Sequence, residues 1–156
     1  MIYQDYLTEF KLYTALCQLY PNNIINKQVT VPETRYRSDY VIHELKLVIE
    51  FNGFMHYTLV KTILRDRKVV DIWESLGYKV ISIPYFVQLD EVMIKHYFNL
   101  ENNSGSNYHH GFIDKMALLP DNYCTIELKR YYNELSQLPD EVSKSIKETC
   151  TNLILD

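Results

Sequence analysis

The chain has 156 residues, of which 47% are hydrophobic, with only four glycines and five prolines, and this composition excludes a disordered or fibrous protein. A length of 156 residues is close to one average domain, which can bury a core without disulfides or structural metals. The formal net charge of -4 excludes a uniformly basic nucleic-acid-binding protein, so any nucleic-acid site has to be local.

The cysteines and the apolar segments bear on the compartment of the protein. Cys17, Cys124 and Cys150 are far apart and form no CxxC or CxxH pair, which argues against a disulfide framework and a structural zinc site. We expect three reduced, buried thiols. The N-terminus has no basic start followed by an apolar stretch, and no run of about 18 apolar residues occurs. We therefore expect a cytoplasmic protein without a membrane partner.

The first predicted element is a helix over residues 7–20, where Thr8 is a suitable N-cap and Pro21 marks the end. Its apolar stripe at helical spacing consists of Leu12, Tyr13, Leu16 and Tyr20. Glu9 lies on the same stripe, and an acid on a face that packs against a sheet needs a partner. Residues 24–31 are typical of a short strand that follows this helix.

Two β-rich runs come next, at residues 35–42 and 45–51, separated by His43 and Glu44, and this pattern predicts a hairpin. Side chains of a strand alternate between its two faces. The apolar face predicted for the second strand consists of Leu45, Leu47, Ile49 and Phe51. The polar face consists of Lys46, Val48, Glu50 and Asn52. The chemistry of the hairpin is therefore expected on this second face.

Two acids of the hairpin are predicted to share one face. We take the loop to be His43 and Glu44 alone. Asp39 then pairs with Val48 and lies one diagonal step from Glu50, at roughly 7–8 Å between Cα atoms. Two carboxylates at this separation can hold one ion, and carboxylate oxygens suit Mg²⁺ or Mn²⁺. A three-residue loop would instead place the two acids on opposite faces.

A helix is predicted over residues 59–76, ending at Gly77, and it is followed by a β-rich stretch at 78–87. Pro84 should terminate this strand or place it at a sheet edge, because proline lacks the backbone donor that a neighbouring strand needs. The elements expected after it are a short helix near 89–99, a polar loop at 101–111 and helices over 127–136 and 139–153.

Four motifs follow one another in the first half of the chain. They are Thr8-Glu9, then Gln28, then RYRSDYVIHELKLVIEFNGFMH at 35–56, and a helix with Arg and Asp before LGYKVISI at 76–83. Together they resemble the very-short-patch-repair-like branch of the PD-(D/E)XK endonuclease superfamily, over about residues 8–86. The resemblance implies an α/β (α+β) fold, a restriction-endonuclease-like mixed central sheet flanked by helices. Residues from about 87 to 156 would form a helical C-terminal extension of the same single domain.

The resemblance also implies a set of site residues. The pattern of this branch is a helix Glu, a strand Asp, Glu-x-Asp-Gly and a following His, which corresponds here to Glu9, Asp39, Glu50, Asn52-Gly53 and His56. Asp39 and Glu50 are then the central metal ligands, assisted by Glu9, and the implied cofactor is Mg²⁺ or Mn²⁺. Asn52 and His56 complete the implied catalytic set.

The third motif position departs from the pattern of the family. It is Lys in the wider superfamily and often Asp in this branch, whereas this chain has Asn52, which can ligate a cation but carries no charge. The superfamily lysine helps to position and activate the attacking water. The candidates for that task here are Lys46, Arg67, Lys68 and, as a proton carrier, His56.

Basic residues cluster locally despite the negative net charge. They are Lys27, Arg35, Arg37, Lys61, Arg65, Arg67 and Lys68. We expect them to bind the phosphates of a nucleic acid. The implied activity is metal-dependent endonucleolytic hydrolysis of phosphodiester bonds, and the resemblance implies DNA as the substrate. The sequence leaves open whether the chain cuts one strand or two, and whether it acts as a homodimer.

Other functional classes stay open. A catalytically inactive relative could serve as a nucleic-acid-binding or assembly module, which Asn52 and the acidic composition favour. A structural or interaction protein could instead use its 14 tyrosines and C-terminal helices, and it predicts no carboxylate cluster. In a simpler interpretation of the hairpin acids, Asp39 and Glu50 form surface salt bridges with Arg37 and Lys46.

Overall fold

The computed structural model describes residues 7–101 and 125–154, which form a mixed α/β fold. The helices of this part of the chain are α1 Glu9–Leu19, α2 Val60–Ser75, α3 Glu91–Phe98, α4 Thr125–Ser136 and α5 Asp140–Ile154. The strands are β1 Asn26–Thr30, β2 Arg37–Ile42, β3 Leu47–Asn52 and β4 Lys79–Pro84, in the order β1-β2-β3-β4. The predicted mixed class is confirmed. The polar loop expected at 101–111 lies, from residue 102 on, outside the described residues.

Helix α1 begins and ends where its sequence signals predict. The Thr8 hydroxyl accepts a hydrogen bond from the backbone N–H of Lys11 at 3.2 Å, which satisfies one of the free donors of the first turn. The helix stops just before Pro21. Leu12 and Leu16 of the predicted stripe are fully buried against the sheet, so the stripe anchors α1 to the core.

Two expectations for α1 are wrong. Glu9 is exposed and does not lie on the core face, because it is the first residue of the helix and its carboxylate reaches Gln28 of β1 instead. Cys17 is also exposed, on the outer side of the helix, so it is not a buried thiol. The side chains of the other two cysteines lie outside the described part of the chain.

The hairpin of β2 and β3 keeps the predicted faces but has a different register. Tyr40 pairs with Ile49 and Val41 pairs with Val48, so Val41 takes the place opposite Val48 that was predicted for Asp39. The connection consists of the four residues 43–46. Residues 43–45 form a 3-10 turn, and Lys46 ends it in the left-handed conformation with φ of 47°. Two added residues preserve the alternation of faces. The two acids therefore share one face, as predicted.

Strand β4 returns parallel to β3 after helix α2. Gly77 makes the turn between α2 and β4 with φ of 81°, a conformation that glycine adopts without steric penalty. The parallel register places Ser82 beside Glu50. β4 lies at the edge of the sheet and ends at Pro84, as its sequence predicts. The order of elements thus brings a fourth strand next to the hairpin acids.

Both faces of the sheet are covered, so the expected contrast between one apolar and one polar face is wrong. The larger core lies on the side of α1 and α3 and includes Ile49 and Ile81. The smaller core lies on the opposite side, under α2, and consists of Val31, Val41, Val48, Val69 and Trp73. The face of Glu50 is therefore apolar near the hairpin loop and becomes polar only toward the end of β3.

The two predicted C-terminal helices are confirmed as α4 and α5. They pack on the larger core through Tyr131, Leu135, Val142 and Ile146. The C-terminal segment thus shares its core with the sheet. Within residues 7–101 and 125–154, no helix combines the length and the apolar character that crossing a bilayer requires.

Candidate functional site

A cleft of about 360 Å³ opens between the sheet and helix α2. Its acidic and polar lining consists of Asp39, Glu50, Asn52, His56, Asp66 and Ser82. Its basic lining consists of Arg35, Arg37 and Arg65. These side chains come from β2, β3, β4, α2 and the segments between them, so the fold assembles the cleft from several elements.

Asp39 and Glu50 are fixed side by side by hydrogen bonds to the backbone. Glu50 Oε2 accepts from the N–H of Asp39 at 3.2 Å, and Asp39 Oδ2 accepts from the N–H of Phe51 at 2.8 Å. The expected approach of these two acids within one cleft is therefore observed. The salt-bridge interpretation requires ion pairs of these acids with Arg37 and Lys46, and within the described residues neither acid forms one.

The surroundings of these two acids raise both of their pKa values in the metal-free protein. Burial raises the pKa of Glu50 to about 7, and the negative charge of Asp39 adds to this, although the Ser38 hydroxyl opposes it. Burial also raises the pKa of Asp39, against hydrogen bonds from Phe51 and Gln28 that lower it. Glu50 Oε1 is buried and has no hydrogen-bond partner. A buried carboxylate oxygen without a donor is costly, and a cation would remove that cost.

Gln28 connects the third predicted acid to this pair. Its Nε2 donates to Glu9 Oε1 at 3.3 Å and to Asp39 Oδ1 at 3.2 Å. The φ of Gln28 is 51°, in the left-handed region, which costs a non-glycine residue about 1–2 kcal/mol. Partial burial and the charge of Asp39 raise the pKa of Glu9. Glu9 does not line the cleft, so it lies next to the site without being part of its wall.

Asn52 offers the cleft a buried amide. Its side chain is 3% exposed, and its Nδ2 has no hydrogen-bond partner. It follows Glu50 by two residues on β3, so both side chains lie on the same face. A buried amide nitrogen without an acceptor is rare in folded proteins, and it leaves a donor for a water or for an oxygen atom of a bound ligand.

His56 is held by a partly buried network of charged side chains. Its Nδ1 lies 2.6 Å from Asp66 Oδ2, and Arg130 Nη1 donates to that oxygen at 2.8 Å and to the His56 carbonyl at 3.0 Å. Arg130 Nε donates to Glu134 at 3.0 Å, and Glu134 accepts from the Tyr57 hydroxyl. Burial alone would raise the pKa of Asp66, but the bonds from His56 and Arg130 hold it below its usual value. The charged Asp66 therefore fixes the imidazole and leaves Nε2 as the ring nitrogen without a described partner.

The predicted basic residues do not all lie on one surface. The three arginines of the cleft are joined by Lys61 and Lys68, which line an adjoining groove. Arg67 lines another cavity, between α2 and α4, which shares Asp66, Val70 and Ser82 with the cleft. Lys27 lies on the opposite side of the sheet, 3.4 Å from the centroid of the Tyr13 ring. Of the predicted basic residues, Lys27 is therefore the one that lies away from the cleft and the cavities beside it.

The candidates for the water-activating role do not all lie at the cleft. Lys46 lies at the tip of the hairpin, at the opposite end of β3 from Asn52. Arg67 and Lys68 do not line the cleft, whereas His56 does. His56 is therefore the candidate that the fold brings to the two acids.

Sequence reasoning missed the partners of His56, and one of them left a signal. Asp66 comes three residues after Ile63 and seven before Trp73, both buried, so it lies on the core-facing stripe of α2. An acid in that position needs a partner and could have been identified. Arg130 is 74 positions away from His56, and no local pattern connects the two.

Asp39, Glu50 and the Asn52 amide are the residues that could hold a metal ion. Two close carboxylates and an unpartnered buried oxygen fit a hard cation that keeps several of its waters, as Mg²⁺ does. Within residues 7–101 and 125–154, no group of three or more His, Cys, Asp or Glu side chains is arranged as a metal-ligand cluster. No protein-family model, curated protein or solved structure matches the chain, so the chemistry of the cleft is inferred from its residues and geometry.

Proposed function

We propose that the chain is a metal-dependent nuclease that hydrolyses phosphodiester bonds, with DNA as the substrate that the PD-(D/E)XK resemblance implies. The observation that carries the proposal is the pair Asp39 and Glu50, fixed side by side in a cleft that three arginines line. Burial raises the pKa values of both acids, and the charge of Asp39 adds to the rise at Glu50; shifts of this kind concentrate at functional sites. The mixed sheet with helices on both faces is compatible with a restriction-endonuclease-like fold.

The proposed cation is Mg²⁺ or Mn²⁺, held by Asp39 and Glu50 with the neutral Asn52 amide beside them. When bound, the cation polarises the scissile phosphate and lowers the pKa of the attacking water. The arginines that line the cleft bind and orient the phosphates, because a guanidinium group matches the geometry of two phosphate oxygens. Glu9 acts at a distance, through the Gln28 amide that it shares with Asp39.

We assign to His56 the role of moving a proton. Asp66 occupies Nδ1 and remains charged, so it orients the ring and stabilises the imidazolium that forms when Nε2 takes a proton. Arg130 donates a hydrogen bond to the same Asp66 oxygen and so fixes the orientation of that carboxylate. These contacts support a proton-transfer role for His56 in place of the missing superfamily lysine.

The test is cleavage of plasmid, single-stranded DNA and RNA with Mg²⁺ or Mn²⁺, compared with EDTA. Glu50→Gln and Asp39→Asn should reduce the rate by more than the roughly 10–100-fold typical of changes outside the metal's own ligands. Glu74→Gln, at an exposed acid of α2 outside the cleft, is the matched control and should cut like the wild type. Full Mg²⁺-dependent cleavage by Glu50→Gln, or no cleavage of any substrate by the wild type, would refute the proposal.

The alternative is a catalytically inactive module that binds nucleic acid. Asn52 at the third motif position favours it. It is also favoured because residues 7–101 and 125–154 contain no group of three or more ligating side chains arranged to hold a metal ion. This module should bind DNA equally well with and without Mg²⁺ and should show no heat of Mg²⁺ binding by calorimetry. Metal-dependent cleavage that Glu50→Gln abolishes would exclude it.

A further inference from the structure

A second groove of about 850 Å³ lies beside the cleft. Helix α2 contributes Lys61, Leu64, Arg65 and Lys68, which are spaced so that they form one face of the helix. Tyr36, just before β2, forms the other wall. Tyr36 and Arg65 line both the groove and the cleft. The two cavities are therefore neighbours with a shared boundary.

The charge of the groove selects an anionic ligand. Its lining contains three cations and no acid. Lys61 and Lys68 are exposed, and among the described residues they form no ion pair. Arg65 shares its charge with Asp66 through a contact of 3.1 Å. A polyanion that extends from the cleft would meet positive charge along this groove.

The groove also presents apolar surface beside these cations. Within the described residues, the ring of Tyr36 stacks on no other aromatic ring, and its hydroxyl has no hydrogen-bond partner. Tyr78 differs in this respect, because its hydroxyl lies 3.0 Å from His43 Nδ1. Leu64, in the same groove, is 56% exposed. Duplex DNA presents phosphates and sugars to such a surface and keeps its bases stacked inside. Apolar and aromatic side chains between cations instead suit the exposed faces of unpaired bases.

We propose that this groove binds a single-stranded segment of nucleic acid adjacent to the bond in the cleft. Bases contact Tyr36 and Leu64, and phosphates contact Lys61 and Lys68. The inference rests on the proposed function and refines it, because it assigns as substrate a nucleic acid with unpaired nucleotides beside the scissile bond. Arg65 lies at the boundary between the two cavities, where the strand would pass from one to the other.

Binding can be tested without cleavage, by fluorescence anisotropy in EDTA with a labelled oligothymidylate and a hairpin duplex of equal charge. The wild type should bind the single strand more tightly than the duplex. Tyr36→Ala should weaken single-strand binding about tenfold, since stacking on an aromatic ring contributes about 1–3 kcal/mol for each base. Tyr36→Phe keeps the ring and should restore binding. Lys61→Ala and Lys68→Ala should each reduce the salt dependence of log K by roughly 0.7.

The matched control is Lys79→Ala, at an exposed lysine at the start of β4 that lines neither cavity, and it should bind like the wild type. Tighter binding of the duplex, or equal losses for Tyr36→Ala and Tyr36→Phe, would overturn the inference. Tyr36 also packs against the smaller core, so thermal unfolding is recorded for every variant. If Tyr36→Ala does not fold, the exposed lysine variants decide, and an unchanged salt dependence rejects the groove. Failure of the nuclease proposal would appear separately, as absent cleavage with intact binding in EDTA.

Discussion

Replacing Glu50 by glutamine should stabilise the metal-free protein above neutral pH. Burial raises the pKa of Glu50 from an ordinary value of 4.5 to about 7, so the folded state binds this proton more tightly than the unfolded state. The stability that the protonated group contributes is complete below about pH 4.5 and is lost as the pH rises through about 7. A pKa difference of about 2.5, at about 1.36 kcal/mol for each pKa unit, corresponds to about 3 kcal/mol. Glutamine has the shape of the protonated acid and avoids this loss.

Urea unfolding in EDTA at several pH values measures this difference. The free energy of unfolding of Glu50→Gln should match that of the wild type at about pH 4.5 and exceed it by about 3 kcal/mol at about pH 8. Glu74→Gln, the exposed control, should show no pH-dependent gain. Mg²⁺ at about 100 times its dissociation constant should then stabilise the wild type by about 2.7 kcal/mol and leave Glu50→Gln unchanged. A variant less stable than the wild type at pH 8, or a gain independent of pH, would refute the desolvation of Glu50.

Three further predictions concern the ligand pair Asp39 and Asn52, the network residue Arg130 and the bridging residue Gln28. Asp39→Ala should reduce single-turnover cleavage more than Asn52→Ala, because a charged ligand contributes more than a neutral amide to holding a divalent cation, and equal losses would contradict that ranking. Arg130→Met should lower the free energy of unfolding in urea by about 1–3 kcal/mol, because Asp66 and Glu134 lose charge-assisted hydrogen bonds but keep those to His56, Arg65 and Tyr57. Arg130→Lys should recover stability but still alter the imidazole NMR signals of His56. A loss of stability within error of zero would show that this network stabilises nothing. Gln28→Ala should raise the pKa of both acids that its amide bridges, measured by NMR titration of their carboxyl carbons, and unchanged values would remove the amide from the site.

The sequence predicted those parts of the fold that local patterns determine. The Thr8 cap, the end of α1 before Pro21 and the turn at Gly77 each depend on the conformational preference of one residue, and all three lie where expected. The shared face of Asp39 and Glu50 followed from alternation along the strand. Alternation is insensitive to an even change in loop length, so this prediction survived a wrong loop.

The rest depended on interactions between distant segments. The hairpin loop gained two residues because Lys46 adopts a left-handed conformation that a lysine seldom favours, and its sequence carries no sign of it. Val48 was assigned to a polar face because the covering residues Val69 and Trp73 come from a helix whose position was unknown. Arg130 reaches His56 across 74 positions. Contacts of this kind are fixed by packing of the whole fold and have no local signature.

The core under helix α2 is much smaller than the core on the other face of the sheet, so α2 should unfold locally at a lower free energy than the strands do. Helix α2 rests on a core of five buried residues, whereas several helices cover the other face. Regions with little buried apolar contact open at lower free energy, so amide hydrogens of α2 should exchange before those of β3. The contact between Arg130 and Asp66 ties the middle of α2 to α4, and the buried side chain of Ile63 holds the first turn. Opening of α2 as a unit would widen the cleft while Asp39 and Glu50 stay in register on the sheet.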